Sequence, residues 1–181
     1  LRTHVVAFDT AVADLTPLLH DPVDVLFGVQ LGGGTDIAQA VGYCQQLITR
    51  PADTVLVLVS DLFEGGNASL LHQRIAALHQ AGVCVVVLLA LSDEGAPTYD
   101  HTQAAAFAAL GVPSFACTPD AFPDLLAAAL EGRDVGRWAK AFQYISERPE
   151  LEDIVVPGGD AYQLRPEQLR YIGETLVKMD N

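Results

Sequence analysis

The sequence predicts an α/β protein with a doubly wound, Rossmann-like and mostly parallel sheet flanked by helices. Three observations lead there. Continuous apolar runs at residues 54–59 (TVLVLV) and 83–91 (VCVVVLLAL) suit parallel strands covered on both faces. Each run is followed by a polar loop and then by a segment with helical apolar spacing, and strand and helix alternate in this way three times. Gly82 and Gly111 stop two of those helices just ahead of the next strand.

In chain order, residues 5–8 (VVAF) and 23–29 (VDVLFGV) read as short strands, able to pair antiparallel, with Pro17, Asp21 and Pro22 making the ground between them turn-prone. After Gly32, Gly33 and Gly34, residues 36–48 form a helix that Arg50 and Pro51 close. The strand 54–59 follows, then a loop (60–67), a helix (69–80) and the strand 83–91. A second loop (92–100), a helix (101–110), a strand (114–117) and a helix over about 121–130 complete the domain, assigned to residues 1–131. Residues 132–181 change character. They carry seven of the ten basic residues and a turn at Pro157, Gly158 and Gly159, and they read as a helical appendage with amphipathic segments over 135–145 and 166–179.

Composition excludes some functions. Ten Lys and Arg against 23 Asp and Glu leave a net charge of −13, which repels phosphate backbones and anionic headgroups and argues against nucleic acid or membrane partners. No apolar run approaches the roughly 20 residues of a membrane-spanning helix, and the first residues lack a basic-then-apolar signal pattern, so a cytoplasmic location is expected. Cys44, Cys84 and Cys117 are odd in number and widely spaced in apolar or helical sequence. That arrangement suits buried reduced thiols better than a disulfide framework or a zinc site.

In open α/β sheets the ligand site lies beyond the carboxyl ends of the parallel strands. Four loops converge there: residues 32–36 (GGGTD), 60–66 (SDLFEGG), 92–100 (SDEGAPTYD) and 118–120 (TPD). The glycine run could cradle a phosphate ahead of a helix, but it has neither the Gly-x-Gly-x-x-Gly spacing nor a Gly-Lys-Ser/Thr ending. From Pro51 to Gly132 the only basic residue is Arg74, on a predicted helix. The loops instead gather Asp36, Asp61, Glu64, Asp93, Glu94, Asp100 and Asp120 without counter-charge. Carboxylates joined by hydroxyls such as Thr35 and Ser60 suit a hard cation, Mg²⁺, Mn²⁺ or Ca²⁺. The plainer alternative is that these acids are solvated or cap helices.

Over about residues 3–130 the chain resembles the von Willebrand factor type A (VWA) domain family. The residues that carry the resemblance are Gly32-Gly33-Gly34-Thr35-Asp36, then an apolar strand ending in Ser60-Asp61, then the later strand and helix pairs. The stretches VVLLALSDEGAPTYD and FACTPDAFPDL are most similar to bacterial VWA proteins associated with MoxR-type AAA+ ATPases. The family's metal-ion-dependent adhesion site combines an Asp-x-Ser-x-Ser after the first strand, a Thr from a second loop and an Asp from a third. The resemblance implies that Thr35 and Asp61 are metal ligands, with Asp36, Ser60 and Glu64 orienting waters or ligand oxygens around them. No Asp-x-Ser-x-Ser occurs in the 181 residues, and the chain opens at what corresponds to the family's second strand. The expectation is that a longer parent chain supplies the first strand, which the family places centrally in its sheet. Without it, residues 5–8 and 54–59 would flank an apolar slot, for which residues 154–156 are a local competitor.

Other residues have plain readings. Asp9 lacks the Lys or second Asp of a phosphotransfer site and reads as a turn carboxylate. His72 and His79 lie on one predicted helix away from the loops, no Ser sits on a Gly-x-Ser-x-Gly elbow, and Trp138 reads as an anchor for the appendage. The function expected is a non-catalytic, metal-dependent protein-binding module, whose cation completes its shell with a partner's carboxylate. By resemblance the partner is an AAA+ ATPase or its client. The alternative is a metal-dependent hydrolase built on the same loops, which the lack of a convincing general base disfavours.

Overall fold

The computed structural model describes residues 2–27, 32–89, 98–116 and 122–136. The chain divides into two compact units, Leu1–Ala116 and Cys117–Asn181. In the first unit, strands β3 (Val55–Ser60), β4 (Cys84–Leu89) and β5 (Ser114–Ala116) form a parallel sheet in the order β3-β4-β5. Val55 lies opposite Cys84, and Val87 opposite Ser114. Helices α3 (Ala68–Gln80) and α4 (His101–Ala109) make the crossovers, so the predicted strand and helix alternation is the observed one. The predicted helix over 36–48 is α2 (Ile37–Leu47).

Burial drives this assembly. Val85, Val87 and Leu89 on one face of β4 join Ile37 and Val41 of α2, Leu71, Ile75 and Leu78 of α3, and Phe107 of α4 in one core. Val86 and Leu88 on the other face are also buried, which explains the unbroken apolar run of that strand. β3 behaves differently. Leu58 enters the core, but Val59 on the opposite face is 60% exposed, as befits a strand that is paired on one side only among the described residues.

The N-terminal part corrects one expectation. The expected strand over 23–29 is not found at residues 23–27, where Pro22–Phe27 is a short helix, α1; residues 28–31 lie outside the described set. Pro22 supplies a helical φ where no N–H is needed, Asp21 Oδ1 accepts from the Val23 amide at 2.8 Å, and Asp24 sits near the positive end. The antiparallel partner of β1 (Val6–Phe8) is β2 (Val12–Asp14), with Ala7 opposite Ala13. A local turn wins because closing three intervening residues costs less chain entropy than closing a long loop. At the turn, the Asp9 amide donates to the Ala11 carbonyl at 3.0 Å and the Ala11 amide to Asp9 Oδ1 at 2.6 Å.

β1 and β3 share no ladder: the hairpin and the parallel sheet are separate, and α2 packs against β1, β2 and α3. In the second unit, α5 (Phe122–Leu130) buries Leu125, Ala128 and Ala129 and ends where the Gly132 and Arg133 amides donate to the carbonyls of Ala129 and Ala128. Among the described residues no helix is long and apolar enough to cross a membrane. The expected helices over 135–145 and 166–179, Trp138, and residues 154–156 lie almost wholly outside the described residues. Cys44 and Cys84 are free, half-buried thiols whose pKa values desolvation raises, and Cys117 lies outside the described residues.

Candidate functional site

The site begins where β3 ends. Ser60 Oγ accepts from the Leu62 amide at 3.0 Å and Asp61 Oδ1 from the Phe63 amide at 3.1 Å, so two short polar side chains fold the turn on itself. Leu62 adopts a left-handed backbone (φ 62°) although its side chain is fully buried in the core. Such a conformation costs an L-residue about 1–2 kcal/mol, and burial of Leu62 holds it there. The loop leaves the strand through one fixed, strained turn that contains Asp61.

The opposite wall is the entry to α2. Asp36 is the helix cap, its Oδ1 accepting from the Gln39 amide at 2.7 Å. Its own amide donates to the carbonyl of Asp9 at 2.8 Å, which ties the end of β1 to this turn. Asp9 Oδ2 accepts from the Gly32 amide at 2.6 Å. The amides of Ala11 first and Gly32 second hold the Asp9 carboxyl below the usual carboxylate range. Asp9 is thus a turn carboxylate, and it occupies a backbone donor of the glycine run that an external anion would otherwise need.

The two walls are joined by backbone bonds. The Gly65 amide donates to the Thr35 carbonyl at 2.8 Å, and Glu64 Oε2 accepts from the Ala38 amide at 3.1 Å. Glycine is required at 65, because a Cβ there would lie 2.7 Å from the Thr35 carbonyl oxygen. The third loop joins through Asp100, whose amide donates to the Asp61 carbonyl at 2.9 Å while its side chain caps α4. The structure therefore brings together Thr35, Asp36, Ser60, Asp61, Glu64 and Asp100. Asp93, Glu94 and Asp120 lie outside the described residues.

Their oxygens have different employments. Ser60, Glu64 and Asp100 accept from backbone amides, as does Oδ1 of Asp36. Thr35 Oγ1 and the Oδ2 atoms of Asp36, Asp61 and Asp100 accept no hydrogen bond among the described residues. All the candidate donors are oxygens, which fits a hard divalent cation in kind. Among the described residues no group of three or more His, Cys, Asp or Glu is placed to hold a metal, so the set is incomplete in number.

The histidines lie apart: His72 bonds to Gln103 and meets Phe107 edge-on, both across the contact of α3 with α4. Arg74, read from the sequence only as a helix residue, donates to the carbonyl of Ala38 in α2. Two signals marked it. Arg74 is the lone cation in a long acidic stretch, and Gly42 inside a helix, where glycine costs about 1 kcal/mol against alanine, leaves the space its guanidinium occupies.

The family described as "VWA domain containing CoxE-like protein" matches residues 1–126. The chain is similar to a protein of Escherichia coli (strain K12) described as "Uncharacterized protein YehP", with 47% identity over 131 residues, or 72% of this chain and 35% of that protein. It therefore spans about a third of that relative's length. No solved structure matches it.

Proposed function

The chain belongs to the VWA-domain-containing CoxE-like family, and on that premise we propose that it is a non-catalytic, metal-dependent protein-binding module. Thr35 and Asp61 would hold the cation, Mg²⁺ in the first instance with Mn²⁺ or Ca²⁺ as substitutes. The observation that carries the reading is the Thr35–Gly65 bond of 2.8 Å, which sets Thr35 beside the turn of Asp61 while Thr35 Oγ1 and Asp61 Oδ2 accept no hydrogen bond among the described residues. A bound cation would supply a positive centre with a coordination position open to a carboxylate of a partner protein. Ser60, Asp36 and Glu64 keep the surrounding backbone in place, through the turn of β3 and the first turn of α2.

The remaining ligands would come from a segment carrying Asp-x-Ser-x-Ser, docked as a strand between β1 and β3. By family resemblance the partner is a MoxR-type AAA+ ATPase or its client, met in the cytoplasm. Calorimetry with Mg²⁺ and Mn²⁺ tests the core of this reading. Weak binding is expected, weakened further, to a still measurable level, by Thr35→Ala and by Asp61→Ala. Metal-dependent turnover of phosphoester or peptide substrates, lost on Asp61→Ala, would favour a hydrolase instead.

A further inference from the structure

We infer that Glu64, together with Arg74, is a positioning residue that clamps the first turn of α2 to the loop after β3, holding Thr35 and Asp61 in one arrangement before any cation arrives. The clamp bears on a cation only under the metal-site reading above; its geometry is independent of it. Both oxygens of Glu64 are engaged by the backbone, Oε2 by the Ala38 amide at 3.1 Å and Oε1 by the Gly66 amide at 2.6 Å. Arg74 takes the carbonyl of the same Ala38. An anion from the loop that carries Asp61 and a cation from α3 therefore grip the two polar groups of one residue, three positions beyond Thr35.

This is more than helix capping. α2 already has its cap in Asp36, whose Oδ1 accepts from Gln39 at 2.7 Å. Glu64 reaches Ala38 across 26 sequence positions, so its bond cross-links the loop after β3 to the first turn of α2. Charge favours the arrangement, since a carboxylate beside the free amides of a helix N-terminus meets the positive end of its dipole. The neighbouring Gly65 adds the third tie, to the Thr35 carbonyl at 2.8 Å. With each oxygen of Glu64 held by an amide, its carboxylate fixes the backbone beside Thr35, and through that backbone it acts on a cation.

Amide hydrogen exchange followed by NMR on the full chain tests the clamp without metal. Glu64→Ala is expected to speed exchange at Ala38, Gly65 and Gly66 by tenfold or more and to leave Val86 and Val87 in β4 unchanged. Glu64→Gln keeps the bulk of the side chain and one acceptor, and should release Ala38 while Gly66 stays protected; it serves if the alanine variant does not fold. Unchanged exchange at Ala38 and Gly65 in both variants overturns the clamp. Mn²⁺-induced line broadening, which reports weak binding, then tests the positioning role. Glu64→Ala should weaken Mn²⁺ binding several-fold in the wild-type background and not at all in a Thr35→Ala background. Equal weakening in both backgrounds would make Glu64 a ligand in its own right and overturn the inference. If the wild-type chain shows no Mn²⁺ effect, the metal-site reading of this chain fails, and hydrogen exchange alone decides the clamp.

Discussion

The Gly65 amide donates to the Thr35 carbonyl oxygen at 2.8 Å, and the hydrogen atom in place of a side chain at Gly65 is what lets the two loops approach so closely. Gly65→Ala would put a Cβ 2.7 Å from that oxygen. Overpacking of this kind costs about 1–3 kcal/mol. Gly33→Ala is the control: its backbone is left-handed (φ 98°) but nothing lies within 4 Å, so only strain, about 1 kcal/mol, is added. Urea denaturation should rank Gly65→Ala as the more destabilising. The reverse order would contradict the close approach.

Among the described residues β1 pairs only with β2 and β3 only with β4, which gives the second prediction. The two strands share no ladder, α2 packs beside both the hairpin and α3, and Val59 is 60% exposed. A chain extended to include an upstream Asp-x-Ser-x-Ser strand should unfold at higher temperature and bind Mn²⁺ at least tenfold more tightly. Its structure should show one added strand between β1 and β3. If β1 pairs directly with β3 in the longer chain, the assignment of a central strand is wrong. A tight site in these 181 residues alone, lost on Thr35→Ala, would point instead to Asp93 and Asp120 as further ligands.

Nucleotides and dinucleotides are expected not to bind at the glycine run, where the Gly32 amide is already taken by the Asp9 carboxylate at 2.6 Å and the surrounding loops are acidic. A thermal-shift panel with ATP and NAD should show no stabilisation. A shift that Gly33→Val removes would refute this.

Acid should loosen the hairpin first. The carboxyl of Asp9 is held below its ordinary value of 3.8 mainly by the Ala11 amide and then by Gly32. That of Asp14 is held below the same value by Thr16, through its side chain and then its amide, and by Tyr43, whose hydroxyl donates to it at 2.9 Å. A depressed folded-state pKa contributes stability that is present above the unfolded value and lost as pH falls through the folded one, here below about pH 5. Stability measured against pH should therefore fall on acidification, and Asp9→Asn should flatten that fall. An Asp9→Asn curve parallel to wild type would show that the Asp9 carboxylate contributes nothing.

The sequence by itself determined the parallel sheet, its helices and the family, because two-sided apolar strands and helix stops at Gly82 and Gly111 are local patterns that one burial requirement enforces. It also placed Thr35, Asp61 and their neighbours on converging loops, since loop position follows from strand direction. Tertiary structure alone decided which oxygens of those residues are occupied. Asp36, Asp61 and Glu64 are alike in the sequence, and only the placement of the amides separates them: Gln39 and Phe63 each take one oxygen of Asp36 and Asp61, while Ala38 and Gly66 take both of Glu64. The strand over 23–29 failed for a related reason: its β-branched residues outline a strand, but the Asp21–Pro22 cap starts a helix and β2 supplies the pairing from closer by. Arg74 shows the limit most simply, because a lone cation on a helix acquires its role from a carbonyl 36 positions away, a distance that only folding closes.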